Sequence, residues 1–267
     1  MTSQQRPSDR VAFVGDWGQQ VIACSVHAGH ELRPELAQAV ALDEAARLRE
    51  EDPQTDEIAS VAPARVLTSR SRFEVDLNRP REDAVYRTPE DCWGLDVWAG
   101  GAMSEGETRR SLEVYDEFYA RLGERLDTVA ARGPFVVLDV HSYNHRRAGP
   151  DAEPDPVEES PQVNVGTGSL DRDRFGPLAD AFITELASHD VGGEPVDVRE
   201  NVRFEGRALA AWVHETYPGT GCCLALEFKK TFMDEWTAEV DAGRLAETVQ
   251  ALAATVPVLG RALEELS

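Results

Sequence analysis

Lysine is almost missing from this chain: Lys229 and Lys230 are the only two, and every other one of its 27 basic residues is an arginine. Cysteine is scarce as well. Cys24, Cys92, Cys222 and Cys223 show no Cys-x-x-Cys spacing, and the adjacent Cys222 and Cys223 would bridge only with strain. That excludes a disulfide scaffold and a thiolate zinc site, and it points to reduced, mostly buried thiols in a cytoplasmic protein. No run approaches the 18 apolar residues of a membrane-spanning helix, and the polar start Met1-Thr2-Ser3-Gln4-Gln5-Arg6 is not a signal peptide, so a soluble protein is expected.

Positive charge is short overall. Against 27 basic residues stand 49 acidic ones, a formal net charge of -22. A field of that sign repels phosphate backbones and anionic bilayers, so neither nucleic acid nor a membrane is an expected partner. It repels carboxylate substrates too, so a site for an anion must bring its own arginines.

What is present suits one large α/β domain. At 267 residues, with 42% hydrophobic and 28% charged residues, the chain can bury roughly three quarters of its unfolded surface without disulfides. Apolar runs at Val21–Val26, Ala64–Leu67, Phe135–Val140 and Cys222–Leu226 are continuous rather than alternating, which predicts strands covered on both faces. Helical patterns separate them. Pro34 to Glu50 reads as one helix, with Pro34 suited to a first turn. In Ser104 to Arg132, Val114, Phe118, Leu122, Leu126 and Val129 form one apolar stripe. Asp171–Ser188 and Asp241–Leu266 read as two more. The alternation predicts a single three-layer α/β/α domain around a mixed, mostly parallel sheet. Residues 1–10 and the Pro-, Asp- and Glu-rich stretch at about 146–162 are expected to be flexible, the latter as a long loop or flap.

Three strands end in polar residues, where open α/β sheets bind ligands. Val26 gives way to His27, Val140 to His141, and Leu226 to Glu227. Two histidines and a carboxylate at such ends are the parts of a catalytic zinc site. A lone strand-end histidine is more often a hydrogen-bonded structural residue, and it is the coincidence of several that favours metal. Arg79, with Asn78 beside it, can clamp a carboxylate in bidentate fashion. Alternatively, Arg72 and Arg79 pair with local acids such as Glu74 and Asp76. Ser142 has no Gly-x-Ser-x-Gly elbow around it, and Gly166-Thr167-Gly168 lacks the lysine of a phosphate-binding loop. His145, His189 and His214 read as solvated, surface or capping residues.

Taken in order, the motifs resemble the N-formylglutamate amidohydrolase family, which is similar in fold and mechanism to zinc carboxypeptidases and aspartoacylases. The matching pieces are His27-Ala28-Gly29, Thr55-Asp56, Ser71-Arg72 through Asn78-Arg79-Pro80, Asp139-Val140-His141-Ser142, Asn164-Val165-Gly166-Thr167, Arg203-Phe204-Glu205-Gly206 and Leu226-Glu227 with Thr231-Phe232-Met233. The resemblance implies one zinc ion held by His27, His141 and a carboxylate. Carboxypeptidase-like sites take that carboxylate from an His-x-x-Glu pair, but here His30 stands three residues after His27 and Glu31 one further on. The resemblance implies Asp56, at a position where the family keeps an aspartate, as the third ligand, with Glu31 or His30 as rivals. Glu227 is implied as general base and then acid, and Arg72 as the group facing the oxyanion. Asn78, Arg79, Arg203, Asn164 and Thr167 are implied to bind substrate. The expected reaction is hydrolysis of a small anionic N-acyl amino acid, N-formyl-L-glutamate first. The alternatives are a zinc deacylase or carboxypeptidase acting on another such amide, or a non-catalytic binding protein on the same fold. One departure stands out: where the family often has a second glycine after Gly206, this chain has Arg207.

Overall fold

The computed structural model describes residues 11–266, so the expected flexibility of residues 1–10 lies outside the described residues. In chain order the elements are β1 (Val11–Gly15), β2 (Val21–Ser25), α1 (Pro34–Ala39), α2 (Glu44–Glu50), α3 (Thr55–Ile58), β3 (Ala64–Thr68), α4 (Glu105–Ala130), β4 (Phe135–Tyr143), β5 (Val163–Gly166), α5 (Arg172–Ala187), β6 (Asp190–Val191), β7 (Glu194–Pro195), β8 (Val198–Glu200), α6 (Ala208–Thr216), β9 (Gly221–Lys229) and α7 (Ala242–Glu265). β6 and β7 pair only with each other; the other seven strands form one sheet in the order β1-β3-β2-β4-β9-β5-β8. Neighbours from β3 through β9 run parallel, β1 and β5 join them antiparallel, and β8 is parallel to β5. The result is the expected mixed sheet with flanking helices.

The continuous apolar strands are explained by cover on both faces. In β4, Val136, Leu138 and Val140 pack toward α5 and α7, against Phe175, Phe182, Leu252 and Leu259. Phe135 and Val137 point the other way, toward Phe118, Leu122 and Leu126 of α4 and Val213 of α6. Each side chain on either face thus leaves water, at roughly 25 cal/mol per Å² of apolar surface. α4 follows its predicted stripe, and the Ser104 hydroxyl caps it by accepting from the Glu107 N–H. Asp171 and Asp241 cap α5 and α7 in the same way.

The predicted helix from Pro34 to Glu50 is two helices. Val40 leaves helical geometry to bridge Trp98, and the Asp43 carboxylate starts a new N-terminus by accepting from Ala46 N–H. A third, smaller apolar cluster, with Leu36, Phe73, Tyr86 and Trp98 among its members, lies under the long segment between β3 and α4. The 146–162 segment is a loop with one 3-10 turn at Val157–Glu159, tied down where the Arg199 guanidinium donates to the Val157 and Glu158 carbonyls. The adjacent order β2-β4-β9 brings His27, His141 and Glu227 to one end of three neighbouring parallel strands.

Candidate active site

β4 and β9 pair in register, with His141 opposite Glu227, so both side chains emerge on the same face at the carboxyl end of the sheet. His27 follows the end of β2 beside them, its ring centroid 4.7 Å from that of His141. Both histidines are buried. Each is braced from behind by an acid at Nε2: Asp76 Oδ1 lies 2.7 Å from His27 and Asp139 Oδ1 lies 2.8 Å from His141. An aspartate at Nε2 favours the tautomer with the ring proton there, the one in which Nδ1 is the acceptor.

The two Nδ1 atoms converge on a third group, and it is Asp52. Its Oδ2 is 3.1 Å from His141 Nδ1 and 3.3 Å from His27 Nδ1. His27 Nδ1 is nonetheless a buried atom without a hydrogen bond. His27, Asp52 and His141 each offer one ligand atom, all within 4.8 Å of one another. Three acceptors facing one buried point call for a cation between them, a metal ion or a proton. This buried group could therefore hold a metal ion, and its donor set of two imidazoles and one carboxylate suits one. Burial works against the Asp52 charge, but the histidines outweigh it and hold its carboxyl far below the usual range. Burial likewise opposes the His141 charge, and Asp139 and Asp52 overcome it and raise that imidazole well above its ordinary value.

The carboxylate that meets both histidines is that of Asp52, not that of Asp56. Asp56 is exposed on α3, one helical turn further along. Asp52 is fixed locally: its N–H donates to the His27 carbonyl, its carbonyl accepts from the Thr55 hydroxyl, and its Oδ1 accepts from Ser142. The rivals stand apart as well. His30 Nδ1 sits 2.5 Å from the buried Glu51 carboxylate, while Glu31 is an exposed residue whose backbone bridges Arg70. Nothing in the local pattern marks Asp52 beyond an acid before Pro53, which is why the sequence reading passes over it. The bracing role of Asp76 and Asp139 also goes unread, although both lie inside motifs.

Glu227 reaches the same cavity. Burial first, then the nearby Asp52 and Asp139, push its carboxyl up to about 8, while His141 and Arg72 pull the other way. A cleft opens over these groups. In a protein of net charge -22, it concentrates cations: Arg49, Arg72, Arg147, Arg207 and Lys230 line it, against the acids Glu50, Asp52 and Glu227. Lys230 is buried, and its ammonium donates to the Arg49 and Glu51 carbonyls, tethering the segment that carries Asp52.

The remaining sequence candidates are placed as follows. Arg72 lines the cleft with its guanidinium anchored on Asp76 (2.7 Å) and donating to Tyr86 (3.1 Å). Arg79 leans on the same Asp76 at 3.6 Å and on the face of Tyr86, outside the cleft lining, so the local pairing weighed above describes both arginines. Asn78 backs the histidine, donating to Asp139 at 3.3 Å and accepting from the Leu209 N–H at 2.9 Å. Asn164 is fully buried and spends its side chain on the loop after β8, accepting from Val202, Arg203 and Phe204 N–H groups and donating to the Phe204 carbonyl. Thr167 bonds Glu200 and Asn201. Arg203 pairs with Asp155 at 2.7 Å, and of that loop it is Phe204 and Arg207 that face the cleft.

The family model described as N-formylglutamate amidohydrolase matches residues 19–233, which span every element of this site. The chain belongs to the N-formylglutamate amidohydrolase family. It is accordingly a member of a family of enzymes that hydrolyse an amide. Among solved structures, the N-formylglutamate amidohydrolase from Ralstonia eutropha JMP134 shares the fold, with a TM-score of 0.74 and 17% identity over 96% of this chain and 98% of its own. A gene product of Agrobacterium tumefaciens does so at 0.65 and 18% identity, covering 96% and 95%. A metallo-carboxypeptidase from Burkholderia cenocepacia aligns at only 0.38 and 15% identity, covering 93% of this chain and 60% of its own. No curated protein matches the chain in sequence. Among the described residues of this family member, no helix is long and apolar enough to cross a membrane.

Proposed function

We propose that this protein is a zinc-dependent hydrolase of a small anionic N-acyl amino acid, with N-formyl-L-glutamate, giving formate and L-glutamate, as the first-choice substrate. The observation that carries the reading is the convergence of His27 Nδ1, His141 Nδ1 and the Asp52 carboxylate beside Glu227, in a cation-lined cleft. A divalent ion held by His27, Asp52 and His141 would polarise the amide carbonyl, acidify a water from about 15.7 to about 7, and draw the Glu227 carboxyl down toward the range of a base at neutral pH.

The rest is done by the chain. Asp76 and Asp139 keep the proton on each Nε2 and so keep both Nδ1 atoms available as ligands. Glu227 takes a proton from water and delivers it to the leaving amide nitrogen, in the roles of general base and then acid. Arg72, pre-oriented by Asp76 and Tyr86, faces the carbonyl oxygen as negative charge develops there; one such donor contributes roughly 3 kcal/mol. Holding the substrate carboxylates falls to Arg49, Arg147 and Arg207, which line the cleft, in place of Arg79 and Arg203. Asn78 lines the cleft and braces Asp139 beside His141, while Asn164 and Thr167 hold the loop that presents Phe204.

The test is product release by the zinc-loaded protein from N-formyl-L-glutamate, N-acetyl-L-glutamate, N-acetyl-L-aspartate and a short acidic peptide. Formate and glutamate from the first substrate, fastest of the four, is the expected result. Turnover confined to the others replaces the substrate and keeps the reaction class. No turnover of any rejects the hydrolase reading.

A further inference from the structure

Beside this cleft lies a second, more open groove. Asn78, Trp93 and Arg207 line both. The Asn78 amide is consumed by Asp139 and Leu209, and the Arg207 side chain is long and flexible, so the rigid part of the boundary is the Trp93 indole. Trp93 is also unusual in its exposure. At 43% it is the one exposed large aromatic residue among those described. It closes the 3-10 turn Pro89–Cys92 in a left-handed conformation, φ 51°, which a non-glycine residue adopts only where its surroundings hold it, and Gly94 follows at φ 85°. The indole is held from the protein side by the guanidinium of Arg72 at 4.9 Å, that of Arg79 at 5.8 Å and the ring of Tyr86 at 6.0 Å. The same residue lines both the cleft and the second space.

The balance of charge differs between the two spaces. The cleft sets Arg49, Arg72, Arg147 and Lys230 against Glu50, Asp52 and Glu227, whereas the second space sets Asp83, Glu90, Asp91 and Glu205 against Arg79, and Arg207 is shared by both. The carboxylates of an N-acyl amino acid belong in the first and are repelled by the second. That orientation turns the acyl end toward Trp93. We propose that the Trp93 indole is the wall that limits the length of acyl group this enzyme accepts, and that without it the cleft opens into the acid-lined groove. The inference rests on the amide-hydrolase reading above and names the specificity of that same site.

The experiment compares kcat/KM of the zinc-loaded wild type, Trp93→Ala and Trp93→Phe on N-formyl-, N-acetyl-, N-butyryl- and N-benzoyl-L-glutamate. A pocket wall discriminates about 10- to 200-fold per methylene-sized group. The alanine variant is therefore expected to raise the N-butyryl to N-formyl ratio by about tenfold or more, with phenylalanine between it and the wild type. A merely structural role lowers all four substrates together and leaves the ratio where it was, which overturns the proposal while the hydrolase reading stands. A wild type inactive on the whole panel overturns both. Thermal midpoints of the variants check folding, and Trp93→Leu replaces the alanine variant if that one is unstable, with the same shift in ratio expected and the same unchanged ratio decisive against the wall.

Discussion

His27 and His141 present the same ring nitrogen to Asp52 for the same reason. Each has an aspartate at Nε2, and the geometry of that pairing leaves Nδ1 pointing at Asp52. The account therefore separates two acids only four residues apart. Asp52→Ala should leave the purified protein with little bound zinc, while Asp56→Ala, on an exposed turn, should retain about one equivalent by elemental analysis. Equal occupancy in both would remove Asp52 from the ligand set. Glu227 is separable in a different way. Glu227→Gln should cut kcat by about 10²- to 10⁴-fold with zinc content unchanged, as expected of a proton carrier rather than a ligand. Loss of the metal in that variant would move Glu227 into the coordination shell.

At the scale of elements, legibility followed local determination. The stripe Val114, Phe118, Leu122, Leu126, Val129 is a property of one segment, and α4 runs nearly as its periodicity predicts. The break between α1 and α2 is caused by the bridge of Val40 to Trp98, a tertiary partner invisible to a local reading. The same holds for β4 and β9. Their apolar runs predict where they begin, yet both continue through polar residues, His141–Tyr143 and Glu227–Lys229, because pairing rather than hydropathy sustains them. In the site, residues at strand ends were readable because topology alone puts them at one edge. Asn164 and Thr167 were not, since what they serve is a loop distant in sequence.

His214 gives the elements a test of their own. Expected from sequence at the surface or in a cap, it instead ties α6 to β9: its Nε2 accepts from the Cys223 N–H at 2.9 Å, and its Nδ1 lies 2.8 Å from the Ser169 hydroxyl. Burial lowers its pKa from 6.5 to about 4. Between those values the unfolded chain binds a proton that the folded one refuses, so stability rises with pH across the window and is lost as pH falls from about 6.5 toward about 4. At about 1.4 kcal/mol per unit, the loss is on the order of 2 kcal/mol after allowance for partial exposure. Urea unfolding of wild type and His214→Gln at pH 7 and pH 4.5 measures it. The wild type's advantage should shrink at the lower pH, and an advantage independent of pH would show that His214 is not held neutral.

At the scale of the molecule, the charge distribution is the feature that joins fold to function. A net charge of -22 works against compactness through self-repulsion, and salt screens it over a Debye length of about 10 Å at 0.1 M. The thermal midpoint should therefore climb between low salt and 1 M sodium chloride; a flat or falling midpoint would mean that the paired surface acids already cancel the repulsion. Against that background, the cleft at the end of β2, β4 and β9 in this member of the N-formylglutamate amidohydrolase family is lined by five cations, the feature on which the proposed anion site rests. The most direct measurement is formate release from N-formyl-L-glutamate by protein stripped with chelator, before and after one equivalent of zinc. The account predicts no release before and restored release after. Full turnover in the stripped protein would contradict it, and so would none after reconstitution.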